Sequence, residues 1–182
     1  MSNWEYVELG DIAQIKGGKR LPKGEKLTKN RNNHPYIRVR DMNISKFVQL
    51  NQDIMYVDEK TQQKISKYTV RTNNIIISIV GTIGLVSKVH ASLDNANLTE
   101  NCAKIVNLNG VDSDFLYYYL SSVYGQYEIK KGIVGSTQPK FPIYNIERVK
   151  VHLPSMIIQK SIGYILSNLD EKIEINNRIN QN

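Results

Sequence analysis

The chain has 182 residues, 41% of them hydrophobic, with a single cysteine and a formal net charge of +7. That is enough apolar material for one ordinary domain with an appendage, and it argues against a disordered chain. No run approaches the ~18–20 apolar residues of a membrane-spanning helix. The opening MSNWEYVELGD lacks a signal-peptide pattern, and Cys102 alone cannot form an internal disulfide, so a cytoplasmic protein is expected.

In chain order, residues 4–15 mix helix and strand signals and are ended by Gly17-Gly18. Residues 16–40, KGGKRLPKGEKLTKNRNNHPYIRVR, hold nine Lys or Arg against one acid, Glu25, a local charge of +8, while the rest of the chain sums to −1. The excess charge lies in one block and points to an anionic partner, most simply nucleic acid. An acidic membrane surface fits less well, since the block has no amphipathic helical pattern. Its stretch 19–35 lacks hydrophobic period and carries Pro22, Gly24 and Pro35, which predicts a long extended loop, functional or mobile. Tyr36, Ile37 and Val39 alternate with Arg38 and Arg40, predicting a strand with its basic side chains on one face.

IIISIV at 75–80 predicts a buried strand, followed by a turn at 81–84 and a hairpin partner in LVSKV at 85–89. CAKIVNL at 102–108 predicts another strand. Asp112 or Ser113 caps a helix expected to run through FLYYYLSSVYGQYEIKK, with Phe115, Leu116, Tyr119 and Leu120 as its inner stripe, until Gly132 and Gly135 break it. GIVGSTQPKFP at 132–142 reads as a loop whose Ser136, Thr137, Gln138 and Lys140 offer polar groups to a partner. A helical turn at 145–148 and a strand at 149–153, stopped by Pro154, follow. From Ser155 onward Ile158, Ile162, Ile165, Leu169, Ile173, Asn176 and Ile179 recur at spacings of three and four, which predicts an amphipathic helix with a coiled-coil-like seam that pairs with another helix.

The search for catalytic chemistry ends without a site. His34, His90 and His152 share no metal-ligand spacing. VGTIG at 80–84 leads into a strand rather than a helix, so it reads as a turn and not a phosphate loop. Neither a cofactor loop nor an Asn/Asp-Pro-Pro-aromatic methyltransferase motif is present. Glu128-Ile129-Lys130 has the Glu-x-Lys form of some nucleases but lies in a predicted helix without an acidic companion. No cofactor and no metal are expected. Nucleic-acid contact is expected from Lys19, Arg20, Lys23, Lys26, Lys29, Arg31, Arg38, Arg40, Ser136, Thr137, Gln138 and Lys140, because Lys and Arg neutralise phosphates and Arg and Gln can pair bidentately with base edges.

The order of WEYVELGDIAQIKGGKRLPKG, PYIRVRDM, NNIIISIVGTIGLVSKV, DFLYYYLSS, GSTQPKFPIYNIERVKVHLP and a terminal helix carrying Gln159, Ile165, Leu166, Leu169, Asp170, Lys172, Ile173 and Asn177 resembles the specificity subunits of type I restriction–modification systems. The resemblance implies an α+β target recognition domain with a twisted mixed sheet and few helices over 1–154, then a long coiled-coil-forming spacer helix over 155–182. It implies a non-catalytic subunit that reads double-stranded DNA and directs methyltransferase and restriction subunits to a bipartite site. Family members carry two recognition domains and a longer helix. The resemblance is therefore to a half-size subunit that dimerises through its C-terminal helix, or to an N-terminal half. A nuclease, or a DNA- or RNA-binding module outside such a complex, is the alternative.

Overall fold

The computed structural model describes residues 4–42 and 45–180. In chain order they form β1 (Glu5–Glu8), α1 (Leu9–Ile12), β2 (Gln14–Gly17), β3 (Pro35–Ile37), β4 (Phe47–Val48), β5 (Met55–Tyr56), α2 (Glu59–Ile65), β6 (Ile75–Ser78), β7 (Val86–Val89), β8 (Asn97–Leu98), β9 (Cys102–Val106), α3 (Ser113–Ser121), α4 (Val123–Lys131), α5 (Ile143–Glu147), β10 (Lys150–Leu153) and α6 (Met156–Asn180). The class is α+β with mixed sheets, as expected.

The organising element is a five-stranded sheet ordered β2-β9-β6-β7-β4, with β6 at its centre. Ile75, Ile76 and Ile77 of β6 are β-branched, suit the pleat, and are buried on both faces. Side chains alternate across the strand, so Ile75 and Ile77 join one core with Ile15, Ala103, Ile105, Phe115, Leu116 and Leu120. Ile76 joins a second core with Ile37, Val89, Leu98 and Cys102. β6 and β7 form the expected antiparallel hairpin, and β6 pairs antiparallel with β9. A three-stranded sheet, β5-β3-β8, covers part of the second face, and a ribbon of β1 with β10 joins the first strand to the one that precedes α6.

Two expectations change. The strand over 36–40 stops at Ile37, and Val39–Asp41 is a 3-10 turn. The reason is Asp41: its Oδ2 accepts from the backbone N–H of Arg38 at 2.8 Å and pulls the chain out of extension. The single helix over 115–131 is two. Ser122 is extended, with ψ 166, and its side chain accepts from the Gly125 N–H as the N-cap of α4. Its own N–H closes the end of α3 on the carbonyls of Tyr118 and Tyr119. Within α3, Phe115, Leu116 and Leu120 are buried as expected, but Tyr119 is only partly buried and Tyr117 takes the fourth buried place.

Helix α6 is continuous over 25 residues and has two unlike faces. One docks on the domain. Gln159, 1% exposed, accepts from the Asp112 N–H at 2.8 Å and donates to the carbonyls of Gly110 and Pro154 at 3.3 and 2.8 Å. The Asp170 carboxylate accepts from the Tyr118 hydroxyl at 2.6 Å. The other face carries Ile165, Leu169, Ile173 and Ile179, each at least half exposed. Ile158 lies at its margin, and Ile162 turns partly into the first core.

Candidate nucleic-acid interface

One end of the five-stranded sheet gathers the segments that carry the polar candidates. β2 leaves there at Gly17, β9 enters at Cys102 and β6 leaves at Ser78, since Gly17 pairs with Ala103 and Ser78 with Cys102. Gly18 follows, its N–H bonded to the Cys102 carbonyl at 2.9 Å. A Cβ here would stand 2.0 Å from the Thr99 carbonyl oxygen, so only glycine lets the chain pass. The Lys19 N–H then reaches the Leu98 carbonyl at 2.8 Å, and the Tyr36 hydroxyl donates to the Lys19 carbonyl at 2.8 Å.

The basic segment is thus a pinned excursion. Thr28 and Tyr56 exchange two backbone hydrogen bonds of 2.9 Å. Leu21 and Leu27 pack on a small core of Tyr36, Val57 and Ile65. Glu25 pairs with Lys64 at 2.9 Å, and His34 Nε2 lies 2.7 Å from the Glu59 carboxylate. On this frame Lys19, Arg20, Lys23, Lys26, Lys29 and Arg31 are exposed. Arg20 Nε donates to Glu100 at 2.8 Å. Burial of Glu100 is the largest influence and opposes its ionisation, but the bonds from Arg20, its own backbone N–H and Thr99 together outweigh it and hold the carboxyl below its ordinary pKa.

The two arginines expected to share a strand face are separated. Arg38 donates through Nε and Nη2 to Asp41 at 2.9 and 2.6 Å, and through Nη2 to the Asp53 carbonyl at 2.7 Å. Its hydrogen bonds to Asp41, whose side chain is 2% exposed, raise its pKa further. Arg38 therefore serves the turn, and Arg40 is the exposed member of the pair.

The second candidate segment is a small hairpin against the same sheet end. Val134 and Lys140 exchange backbone hydrogen bonds of 2.9 Å, Lys140 also bridges to Val80, and the Phe141 N–H reaches the Ile79 carbonyl at 2.9 Å. Phe141, fully buried, anchors it. Gly135, at φ +90, makes the turn that presents Ser136, Thr137, Gln138 and Pro139 to solvent. Just beyond, Ile143 Cδ1 lies 3.4 Å from where a Cβ on Gly17 would stand, so the tip emerges beside the exit of β2. Segments some 120 residues apart in sequence meet here.

Sequence reasoning missed a buried ionic cluster at the foot of α6. Lys46 and Lys88, 7% and 5% exposed, both donate to Asp114 Oδ1 at 2.7 Å, and Lys46 also donates to the Ser167 hydroxyl at 2.6 Å. Burial raises the Asp114 pKa, yet the bonds from the two lysines prevail and leave it below its ordinary value. The one sequence signal was Lys88 inside the apolar strand LVSKV, since a lysine there needs a buried partner.

His90, His152, Glu128 and Cys102 are held in structural contacts. His90 caps a 3-10 turn, and His152 stacks on Tyr6 with ring centroids 4.1 Å apart. Glu128 pairs with Lys131 at 2.8 Å. Cys102 is buried, and burial pushes its thiol up to about 12. Among the described residues no group of three or more His, Cys, Asp or Glu is placed to hold a metal ion, and no helix is long and apolar enough to cross a membrane.

A family model for the type I restriction modification DNA specificity domain matches residues 1–182. The MjaVIII specificity subunit of a type I restriction enzyme from Methanocaldococcus jannaschii is 23% identical over 181 residues, covering 95% of this chain and 41% of that protein. Among solved structures, the type I restriction-modification system S subunit from M. genitalium aligns at TM-score 0.66 and 20% identity, covering 95% of this chain and 40% of its own. A chain from a study of complex assembly and conformational transition of the type I R-M system aligns at TM-score 0.72 and 16% identity, covering 97% and 40%. At such identities the structural likeness speaks for the fold. The chain spans about two fifths of the length of these relatives. Matched from its first residue to its last, and folded like two solved relatives, this chain belongs to the family of type I restriction modification DNA specificity domains.

Proposed function

We propose that the chain is a sequence-reading unit for double-stranded DNA within a type I restriction–modification complex. The observation that carries this is the convergence, at one end of the sheet, of the pinned basic segment with the Ser136–Gln138 tip. Exposed Lys19, Arg20, Lys23, Lys26, Lys29 and Arg31 suit phosphates, which position a duplex without reading it. Arg40, Ser136, Thr137, Gln138 and Lys140 sit on compact supports that can be brought to base edges. The recognition domain is assigned to 1–154 and the spacer helix to 155–182. The helix pairs in a coiled coil through its exposed stripe with another helix of its kind; for this chain alone, that is a second copy. The chain itself carries no catalysis, and methyltransferase and restriction subunits supply it in the cytoplasm.

The test is selection of bound duplexes from a randomised pool, followed by sequencing. A short recurring base pattern is expected, with duplex preferred over structured RNA of equal charge. Equal retention of all sequences, or preference for RNA, overturns the reading. Cleavage of DNA in magnesium, abolished by changing Glu128 or Lys130, would favour the nuclease instead.

A further inference from the structure

The linear basic block is not the whole cationic surface. β2 and β9 are the outer pair at one edge of the five-stranded sheet, and their register sets Lys16 directly opposite Lys104. Ile15 and Ile105 turn to the first core, so both lysines occupy the opposite face. Like charges directly opposite on neighbouring strands destabilise a sheet. Here the conflict is compounded. The Lys104 ammonium donates to the Thr69 carbonyl and is half-buried. Its pKa is lowered first by burial, then by the charges of Lys16 and Arg71. The same short segment collects a further cation, because Lys19 Nζ lies 5.4 Å from the centre of the Tyr68 ring. The counter-charge seen at this group is Asp94, 3.3 Å from Arg71 and already accepting from the Thr72 N–H and hydroxyl at 2.7 and 3.0 Å.

We propose that Lys16, Lys19, Arg71 and Lys104 form a composite phosphate track, on which the sugar–phosphate backbone of the duplex lies. This rests on the duplex-binding reading above and names the residues that hold the strand. Thr69 accepts from Lys104 of β9 and Tyr68 lies under Lys19 of the basic excursion, and Gly17-Gly18 lead from Lys16 to Lys19 over the Thr99 carbonyl. The track therefore continues the sheet end that carries the Ser136–Gln138 tip. A polyanion lying there relieves a repulsion the free fold must tolerate, which is why two residues outside the basic block, Arg71 and Lys104, belong to it.

The experiment is salt-dependent binding of a selected duplex, with thermal unfolding of the same proteins. In Lys16→Gln and Lys104→Gln the log–log slope against salt should each become shallower by about 0.9, and in the double variant by about 2, with the selected bases unchanged. Meanwhile the unfolding midpoint of Lys16→Gln should hold or rise, because repulsion is removed at an exposed site. Lys160→Gln, at an exposed position of α6 outside the proposed track, should leave the slope unchanged. A double variant with the slope of the unmodified protein overturns the track and leaves the functional reading standing. A fall in midpoint for Lys16→Gln without a change in slope shows a structural lysine and also overturns it. An unmodified chain whose duplex binding ignores salt overturns both.

Discussion

Lys46 and Lys88, both buried, share one half-buried carboxylate beside α6, whereas Lys16 and Lys104 face each other across two strands with Arg71 as a further charged neighbour. The residue type is the same and the surroundings are opposite. Buried lysines are tolerable when a carboxylate neutralises them, and such a pair holds elements in place. Lysines arranged against one another weaken the fold, and an external anion makes them useful. In this molecule the first arrangement joins the terminal helix to the domain, and the second belongs to the surface we propose for DNA.

The sharpest way to break the contrast is to remove the shared acid. Asp114→Asn removes the carboxylate that two buried ammonium groups share and should lower unfolding stability by about 3 kcal/mol, the low end of the usual range because part of Asp114 remains open to water. A urea-denaturation difference below about 1 kcal/mol would refute the ascribed role. The pH dependence sharpens this. Asp114 has a folded pKa below its ordinary value, so its contribution is fully present above about 3.9, the unfolded value, and is lost as pH falls through the folded one. In Asp114→Asn that part of the acid limb should be missing.

Next comes a pair of neighbouring arginines. Arg38→Ala strips the buried Asp41 of its guanidinium and should cost about 2 kcal/mol of stability, the Arg38 backbone N–H still donating to the carboxylate. Arg40→Ala should leave stability within about 0.5 kcal/mol, since its side chain is exposed, and should weaken DNA binding. Equal melting curves for the two would contradict their separation.

Smallest in stability is the change at the outer stripe of α6. Ile165 and Leu169 are 58% and 50% exposed, so Ile165→Asp with Leu169→Asp should shift unfolding by less than about 0.5 kcal/mol and abolish self-association. Sedimentation showing a monomer at every concentration of the unmodified chain would remove the pairing proposal.

What the sequence disclosed was local. Ile75–Ile77, the β6–β7 hairpin and β9 follow from β-branched runs and turn residues, and α6 from its three-and-four spacing. What it concealed depended on one capping side chain or on distance. Ser122 looked like any helix-interior serine until its hydroxyl capped α4, and Asp41 looked like the end of a strand until it drew in Arg38. Lys46 and Asp114 are 68 positions apart, and no spacing rule joins them. At the candidate interface the basic block and the Ser136–Gln138 tip were each legible from composition. Their meeting beside Gly17 was not, because it depends on the pairing of β2 with β9 and on the bridge from Val80 to Lys140. For the same reason Arg71 and Lys104 escaped notice, lying in segments of ordinary charge.

The central claim, that this sheet end holds a duplex through its phosphates, is tested most directly by the affinity of the unmodified chain for its selected duplex across a salt series. If about 5–8 phosphates are engaged, the log–log slope should lie between about −4 and −7. Joint removal of charge at Lys19, Arg20 and Lys23 should make it shallower for every sequence alike. A slope near zero would contradict the account.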